Sequence, residues 1–177
     1  MAAALSDLVK VVYGNGDFSS KLVSLVDGKP GATLTKIEGS IPAVQRAYTS
    51  VQVAEEQDIE LNSDLVYSNH SCEPNIIFDM EKFEVRVVEN RALKKNDDLT
   101  FFYPSTEWDM QQPFECHCES DRCLGTVRGA KYLDENKLRE YWLNPHIERL
   151  LAKRESAGAD GVSDDGMTDS AEDILKN

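Results

Sequence analysis

Short runs in which apolar and polar residues alternate fill most of the first 110 positions, and they predict a mainly β protein. In KFEVRVVEN, Phe83, Val85 and Val87 fall on one face of a predicted strand, and Glu84 and Arg86 fall on the other. Further strands are predicted in KLVSLVDG, SVQVAEE and DDLTFFY, and turn signals occur in YGNG, DGKPG and KKND. PAVQRAYTS predicts one short helix. The pattern favours a set of small sheets rather than a βαβ repeat.

The pattern becomes helical towards the C-terminus. Apolar residues recur at helical spacing in YLDENKLREYWLNPHIERLLAKRE, and Asn144 followed by Pro145 is typical of an N-cap and a first helical residue. We therefore expect two short helices, at about 134–143 and 145–154, that cover a core. The segment 155–177 is rich in Gly, Ser and Asp, with little aliphatic bulk, and is predicted to be disordered.

The charge is strongly acidic, at −13 for 177 residues. Segment 155–177 holds seven acidic residues and one lysine, or −6, so the rest of the chain carries the remaining −7. An acidic domain argues against direct binding of nucleic acid and suits a basic partner such as a Lys/Arg-rich peptide. An acidic surface that maintains solubility explains the charge equally well.

The expected location is intracellular, either nuclear or cytoplasmic. No apolar run approaches the roughly 20 residues that span a bilayer, so no membrane association is expected. The N-terminal segment MAAALSDLVKVVYG lacks a basic leader and does not resemble a secretory signal. In this setting thiols stay reduced.

The four cysteines predict a metal site. Cys72 lies in NHSCEPN, and Cys116, Cys118 and Cys123 form a C-x-C-x4-C run. Four thiolates make one tetrahedral zinc site with no cysteine left over, and a closed site of this kind is structural. Free cysteines and disulfides are the alternatives, and His117, between two ligands, could replace one of them.

Three motifs in a fixed order carry a resemblance to a known family. NHSCEPN, NDDLTFFY and CHCESDRCLG resemble the signature of SET-domain protein lysine methyltransferases with a post-SET zinc motif. Residues 69–75 match the first motif throughout, while Asn96 takes the place of a glycine and Asp97 and Asp98 take the places of two glutamates. GNGDF resembles the family's early Gly-x-Gly turn. The family commonly has Arg-Phe where Val66 and the following tyrosine stand.

The resemblance implies a fold and a domain layout. The expected fold is a β-clip-like arrangement of small twisted sheets with a pseudoknot beside NHSC. The SET domain would span 1–128, with the post-SET cysteine motif at about 111–128, followed by a helical segment at 129–154 and the acidic tail. The insert that usually forms one wall of the substrate groove is short here, at most about 40–64.

The implied reaction is transfer of a methyl group from S-adenosylmethionine to a lysine amine. By its place in the family motif, Tyr103 is expected to face that amine, and its phenol can accept or donate a hydrogen bond and so aim the lone pair. The residues expected to contact the cofactor are Gly14, Asn15, Gly16, Asn69, His70, Tyr103 and Leu124. The aromatic residues expected to line the lysine channel are Tyr48, Tyr67, Phe102, Trp108 and Phe114. Without the resemblance, the glycines fit a plain turn, Tyr103 fits a strand end and the aromatic residues fit a core.

The expected partner is a lysine-containing protein or peptide, such as a histone tail or another basic protein. Two alternatives stay open. One is a catalytically silent SET-like module that binds a peptide or protein. The other is a zinc-stabilised hydrolase that uses Cys72 and His70, which a metal role for Cys72 disfavours. The sequence leaves the oligomeric state undetermined.

Overall fold

The computed structural model of the protein describes residues 3–16 and 19–159. Within these ranges the chain forms short strands and few helices, which confirms the predicted mainly β class. The strands are β1 (Val9–Val12), β2 (Lys21–Ser24), β3 (Thr33–Lys36), β4 (Ile41–Pro42), β5 (Ser50–Ala54), β6 (Gln57–Glu60), β7 (Asn69–His70), β8 (Ile76–Asp79), β9 (Glu84–Val87), β10 (Thr100–Phe101), β11 (Phe114–Glu115) and β12 (Thr126–Val127). The α-helices are α1 (Leu5–Leu8), α2 (Glu135–Leu138) and α3 (Pro145–Ala159), and 3₁₀ turns occur at Asp64–Tyr67, Tyr103–Ser105 and Ala130–Tyr132.

The strands pair into small separate sheets. Two sheets have three antiparallel strands, in the orders β3-β9-β8 and β4-β6-β5, and β1 pairs with β2 and β11 with β12. Strands β7 and β10 form a parallel pair, with Thr100 opposite Asn69 and Phe101 opposite His70. This parallel pair lies beside NHSC, where the resemblance places the pseudoknot, whose threading stays a prediction.

A main core lies between the sheets. Val85 and Val87 of β9 are fully buried in it, as their alternation predicted, and Phe78 of β8 stacks on Phe101 of β10 at 4.3 Å. Phe83 is a correction: it lies outside the strand, has a φ of +51° and is 39 % exposed. Residues 80–83 must connect two strands that pair directly at their ends, and Phe83 takes the left-handed conformation that reverses the chain.

The predicted helix in PAVQRAYTS is wrong. Residues 43–49 contain no helix, because tertiary contacts hold this segment against β6. The Ala43 amide donates to the Asp58 carbonyl at 2.9 Å, and the Arg46 guanidinium donates to both carboxylate oxygens of Asp58. These bonds outweigh a weak local helix propensity.

The C-terminal helices differ in length from their predictions. Helix α2 ends at Leu138 rather than near 143, whereas α3 begins at Pro145 as predicted and continues to Ala159, beyond the expected end at 154. The rest of the predicted acidic tail, 160–177, lies outside the described residues. In the described part of the chain no helix combines the length and apolar content that crossing a bilayer requires.

Asn144 attaches the C-terminal segment to the sheets. Its buried side-chain amide donates to the carbonyl oxygens of Phe78 and Ser105, both at 2.9 Å, and its Oδ1 accepts from the Met80 amide at 2.8 Å. The side chain predicted to cap α3 therefore binds β8 and the turn after β10 instead. A second core forms beneath the attached segment, from Phe102, Ala130, Leu138, Leu143, Ile147 and Leu151.

Candidate active site and cysteine cluster

The parallel pair of β7 and β10 brings Tyr103 to the NHSC loop. Tyr103 begins the 3₁₀ turn just after β10, and its backbone amide donates to Nδ1 of His70 at 3.1 Å. Its hydroxyl donates to the backbone carbonyl oxygen of Ser68 at 3.1 Å. Two motifs more than 30 residues apart in sequence therefore form one site.

The Tyr103 side chain is enclosed by aromatic rings. Its ring centroid lies 4.7 Å from Phe101, 5.2 Å from His70 and 5.9 Å from Phe114. Burial, with a smaller contribution from the charge of Glu107, raises the pKa of Tyr103 well above its usual range. Burial also lowers the pKa of His70 to about 4. At neutral pH the site therefore presents a neutral hydroxyl and a neutral imidazole.

The Gly-x-Gly turn lies next to the NHSC loop. The Asn69 amide Nδ2 donates to the carbonyl oxygen of Ser20 at 3.0 Å, just after the turn. Within the turn the Gly16 amide donates to Oγ of Ser19 at 2.9 Å, and a Cβ on Gly14 would lie 2.5 Å from the Ser19 carbonyl oxygen. The fold thus requires glycine at position 14 and holds the segment that follows the turn against the NHSC loop.

Ser68 is a site residue that the sequence reasoning missed. It is only 2 % exposed, and its Oγ has no hydrogen-bond partner among the described residues. An unsatisfied buried hydroxyl costs about 1–3 kcal/mol, so this position favours a polar ligand. The available signal was a small polar residue directly before the Asn-His-Ser motif.

Glu107 was also missed. Its Oε1 accepts from the Gln52 amide at 3.0 Å and from Oγ1 of Thr106 at 3.1 Å, while its own amide donates to the Tyr103 carbonyl at 2.9 Å. Burial raises the pKa of this carboxyl to about 7. Nothing in the sequence YPSTEW indicates that Glu107 is buried or that it connects the Tyr103 turn to β5.

The four cysteines form a single cluster. Their Sγ atoms all lie within 4.8 Å of one another, and those of Cys72 and Cys116 are 4.0 Å apart. A tetrahedral zinc ion with Zn–S bonds of about 2.3 Å places its sulfurs about 3.8 Å apart, so the cluster could hold zinc. His117 is exposed and lies outside the cluster. The candidate metal site thus consists of thiols alone among the described residues.

Local hydrogen bonds position the cluster. The hairpin of β11 and β12 brackets the three later cysteines, and the Cys116 amide donates to the Gly125 carbonyl at 2.7 Å. The Leu124 amide donates to Sγ of Cys72 at 3.3 Å, and the Tyr141 hydroxyl donates to the Cys72 carbonyl at 2.8 Å. Burial raises the pKa of the Cys72 thiol to about 11, so a cation is needed to hold it as a thiolate at neutral pH.

The predicted channel residues are not all gathered around Tyr103. Tyr67 packs against the same core as Tyr103, whereas Phe102 and Trp108 pack with the second core. Phe102 stacks on Tyr141 with ring centroids 3.7 Å apart. Among the remaining predicted site residues, the ring centroid of Phe114 lies within 6 Å of those of His70 and Tyr103. Leu124 packs against the second core. Asn15 and Tyr48 are exposed, and Tyr48 is 70 % exposed.

Comparison with known proteins agrees with these motifs. No protein-family model matches the chain. Over 149 residues the chain is 49 % identical to Methyltransferase flvH of Aspergillus flavus, a match that covers 84 % of each protein.

Two shorter matches are to much larger proteins. The chain is 29 % identical over 75 residues to Histone-lysine N-methyltransferase ash1 of Drosophila melanogaster, which is 39 % of this chain and 3 % of that protein. It is 31 % identical over 61 residues to human Histone-lysine N-methyltransferase 2D, which is 32 % of this chain and 1 % of that protein. With the ordered motifs, the small sheets and the four-cysteine cluster, these similarities show that the chain belongs to the SET-domain methyltransferase family.

Proposed function

We propose that the protein transfers a methyl group from S-adenosylmethionine to the side-chain amine of a lysine in a protein substrate. The observation that carries the proposal is the buried pair formed by the Tyr103 hydroxyl and the Ser68 carbonyl, directly beside Asn69 and His70. Because the hydroxyl donates its proton to the carbonyl, both oxygens keep lone pairs that can accept the N–H bonds of a neutral amine and hold it in a single direction.

S-adenosylmethionine, when bound, supplies an electrophilic sulfonium methyl group. By the family resemblance, Gly14 to Gly16, Asn69, His70 and Leu124 would hold it. Glycine allows close backbone approach to a ligand, and the bond from Asn69 to Ser20 keeps the turn and the loop adjacent. The unpartnered Ser68 hydroxyl supplies a further polar contact for a molecule bound here.

The chain must also orient a neutral amine. A lysine with a pKa of about 10.4 is mostly protonated at pH 7, so forming the neutral amine costs roughly 4–5 kcal/mol. A buried site favours the neutral amine. The Ser68 carbonyl and the Tyr103 hydroxyl oxygen would each accept one N–H bond, which leaves the amine lone pair free to point at the methyl group. Orientation of this kind can lower a barrier by about 7–11 kcal/mol.

The metal has a structural role in this proposal. Cys72, Cys116, Cys118 and Cys123 would hold one zinc ion, and four sulfur ligands leave no open position for substrate. The ion would join the NHSC loop to the β11–β12 hairpin, which carries Phe114 towards Tyr103.

Two observations support a basic protein substrate. The chain is acidic, with a net charge of −13 that attracts Lys/Arg-rich segments. The two partial relatives are named as histone-lysine methyltransferases, although the matched regions are small parts of those proteins.

The test is methyl transfer from labelled S-adenosylmethionine to four acceptors: histones, a lysine peptide, the same peptide with arginine in place of lysine, and free lysine. Labelling of the lysine peptide and not of its arginine version supports the proposal. Cofactor binding without transfer to any acceptor overturns it in favour of a silent binding module. Transfer to free lysine alone overturns the protein-substrate part.

A further inference from the structure

We infer that His70 is a positioning residue that connects the metal cluster to the Tyr103 turn through the two nitrogens of one imidazole. Its Nδ1 is hydrogen-bonded to the Tyr103 backbone amide, and its Nε2 is hydrogen-bonded to the Cys72 sulfur. This role of the His70 side chain is distinct from cofactor contact and rests on the proposed zinc site.

The hydrogen bonds fix the tautomer. A backbone amide can only donate, so Nδ1 of His70 accepts from Tyr103 at 3.1 Å and carries no proton. In a neutral imidazole the proton then lies on Nε2, which is 3.3 Å from Sγ of Cys72. Nε2 therefore donates to sulfur. The opposite arrangement, a thiol donating to Nε2, would require a proton on Nδ1 facing the Tyr103 amide.

The surroundings favour this single arrangement. The ring of His70 is packed among three aromatic side chains, with centroid distances of 5.7 Å to Phe102, 5.2 Å to Tyr103 and 5.8 Å to Phe114. Backbone pairing with Phe101 fixes the position of its Cα. The imidazole thus has little freedom to leave either partner.

As a consequence, the sulfur of one proposed metal ligand accepts hydrogen bonds from two donors. Sγ of Cys72 accepts one hydrogen bond from the Leu124 amide and one from His70. Donors of this kind orient a ligating atom, and loss of such a partner typically weakens metal affinity by about 10–100-fold. The same imidazole fixes the Tyr103 backbone, so metal binding also stiffens the turn that carries the hydroxyl.

The first experiment is NMR of the full chain loaded with an NMR-active cadmium isotope and isotopically labelled histidine. We expect an unprotonated Nδ1 on His70 and scalar coupling between cadmium and the Nε2 proton, alongside coupling to the Leu124 amide. Coupling at Leu124 with none at His70, or a proton on Nδ1, would overturn the inference. A folded protein that binds no cadmium or zinc would instead overturn the proposed metal site.

The second experiment separates the two bonds by substitution. An Asn at position 70 can place an oxygen near the Nδ1 position, whereas a Gln can place its amide nitrogen near Nε2. We expect His70→Asn to lower zinc affinity by about 10–100-fold in chelator competition, while His70→Gln keeps it and loses the acceptor for Tyr103. His117→Asn, at an exposed histidine between two ligands, is the control and should leave affinity unchanged. Equal zinc affinity in all three variants and the wild type contradicts the inference; if the variants do not fold, the NMR of the wild type decides.

Discussion

The Tyr103 hydroxyl donates a 3.1 Å hydrogen bond to the backbone carbonyl oxygen of Ser68. The acceptor is a main-chain atom, so no substitution at Ser68 removes it. The donor depends entirely on the identity of residue 103. One residue therefore decides whether this buried pair exists.

Tyr103→Phe should abolish most of the methyl transfer while leaving the fold intact. The ring keeps its packing on Phe101, and only the hydroxyl is lost. Removing a positioned hydrogen-bonding group from an active site typically lowers kcat by about 10²–10³-fold. The measurement is kcat for a lysine peptide together with cofactor affinity. Tyr132→Phe, which removes an exposed hydroxyl bonded to Asp109, is the control, and equal activity of both variants would refute the assignment.

Asn144→Ala should destabilise the domain by about 3 kcal/mol. The substitution leaves the Met80 amide and the Phe78 carbonyl without these partners in a buried place, and unsatisfied buried groups cost about 1–3 kcal/mol each. The Ser105 carbonyl still accepts from the backbone amide of residue 144. Urea unfolding at neutral pH gives the difference in the free energy of unfolding. Asn136→Ala, at an exposed position in α2, should change it by less than about 0.5 kcal/mol. Similar decreases in the free energy of unfolding for both variants would mean that the Asn144 side chain does not stabilise the attachment of the C-terminal segment.

The chemistry of the site could be predicted from the sequence because its residues lie in compact motifs. The four cysteines, which are spread over 52 positions, form one cluster as expected, and Tyr103 reaches the NHSC loop. Asn96, which replaces a family glycine, has a φ of +74°, and asparagine is among the few other residues that adopt this conformation readily. This departure from the motif is therefore accommodated by the turn.

The features that could not be predicted depend on long-range contacts. Arg46 pairs with Asp58, which holds a segment of helical pattern as an irregular loop. Asn144 has the sequence position of an N-cap, yet its side chain binds three groups more than 35 residues away. Burial of Glu107 depends on its pairing with β5, and no local pattern records such a partner. Local periodicity predicts strands and turns well but does not predict which polar side chains the tertiary fold will bury.

Metal removal should loosen one part of the molecule before the rest. Chelation should release about one zinc ion per chain. The β11–β12 hairpin and the NHSC loop should then lose protection against hydrogen exchange, because apparent zinc-binding energies of such sites reach about 10–16 kcal/mol. Strands β8 and β9 pair inside the main core and should keep their protection. Cys72→Ser should reproduce the effect of chelation, whereas uniform loss of protection across all sheets would contradict a local clamp.

The buried carboxyl of Glu107 should make stability fall as pH rises towards neutrality. Burial raises its folded pKa to about 7 from 4.5, so between these values the unfolded state loses its proton first. The unfolded chain then binds fewer protons than the native one, and the free energy of unfolding decreases with rising pH by about 2–3 kcal/mol between pH 5 and pH 8. Glu107→Gln keeps an oxygen for the Gln52 amide and removes the titration, so its stability relative to wild type should increase by that amount across the range. Urea unfolding of both proteins at pH 5, 6, 7 and 8 measures the difference, with Glu81→Gln on the exposed β8–β9 turn as the control. A difference between Glu107→Gln and wild type that stays constant with pH would mean that the carboxyl is already ionised in the folded protein at pH 5.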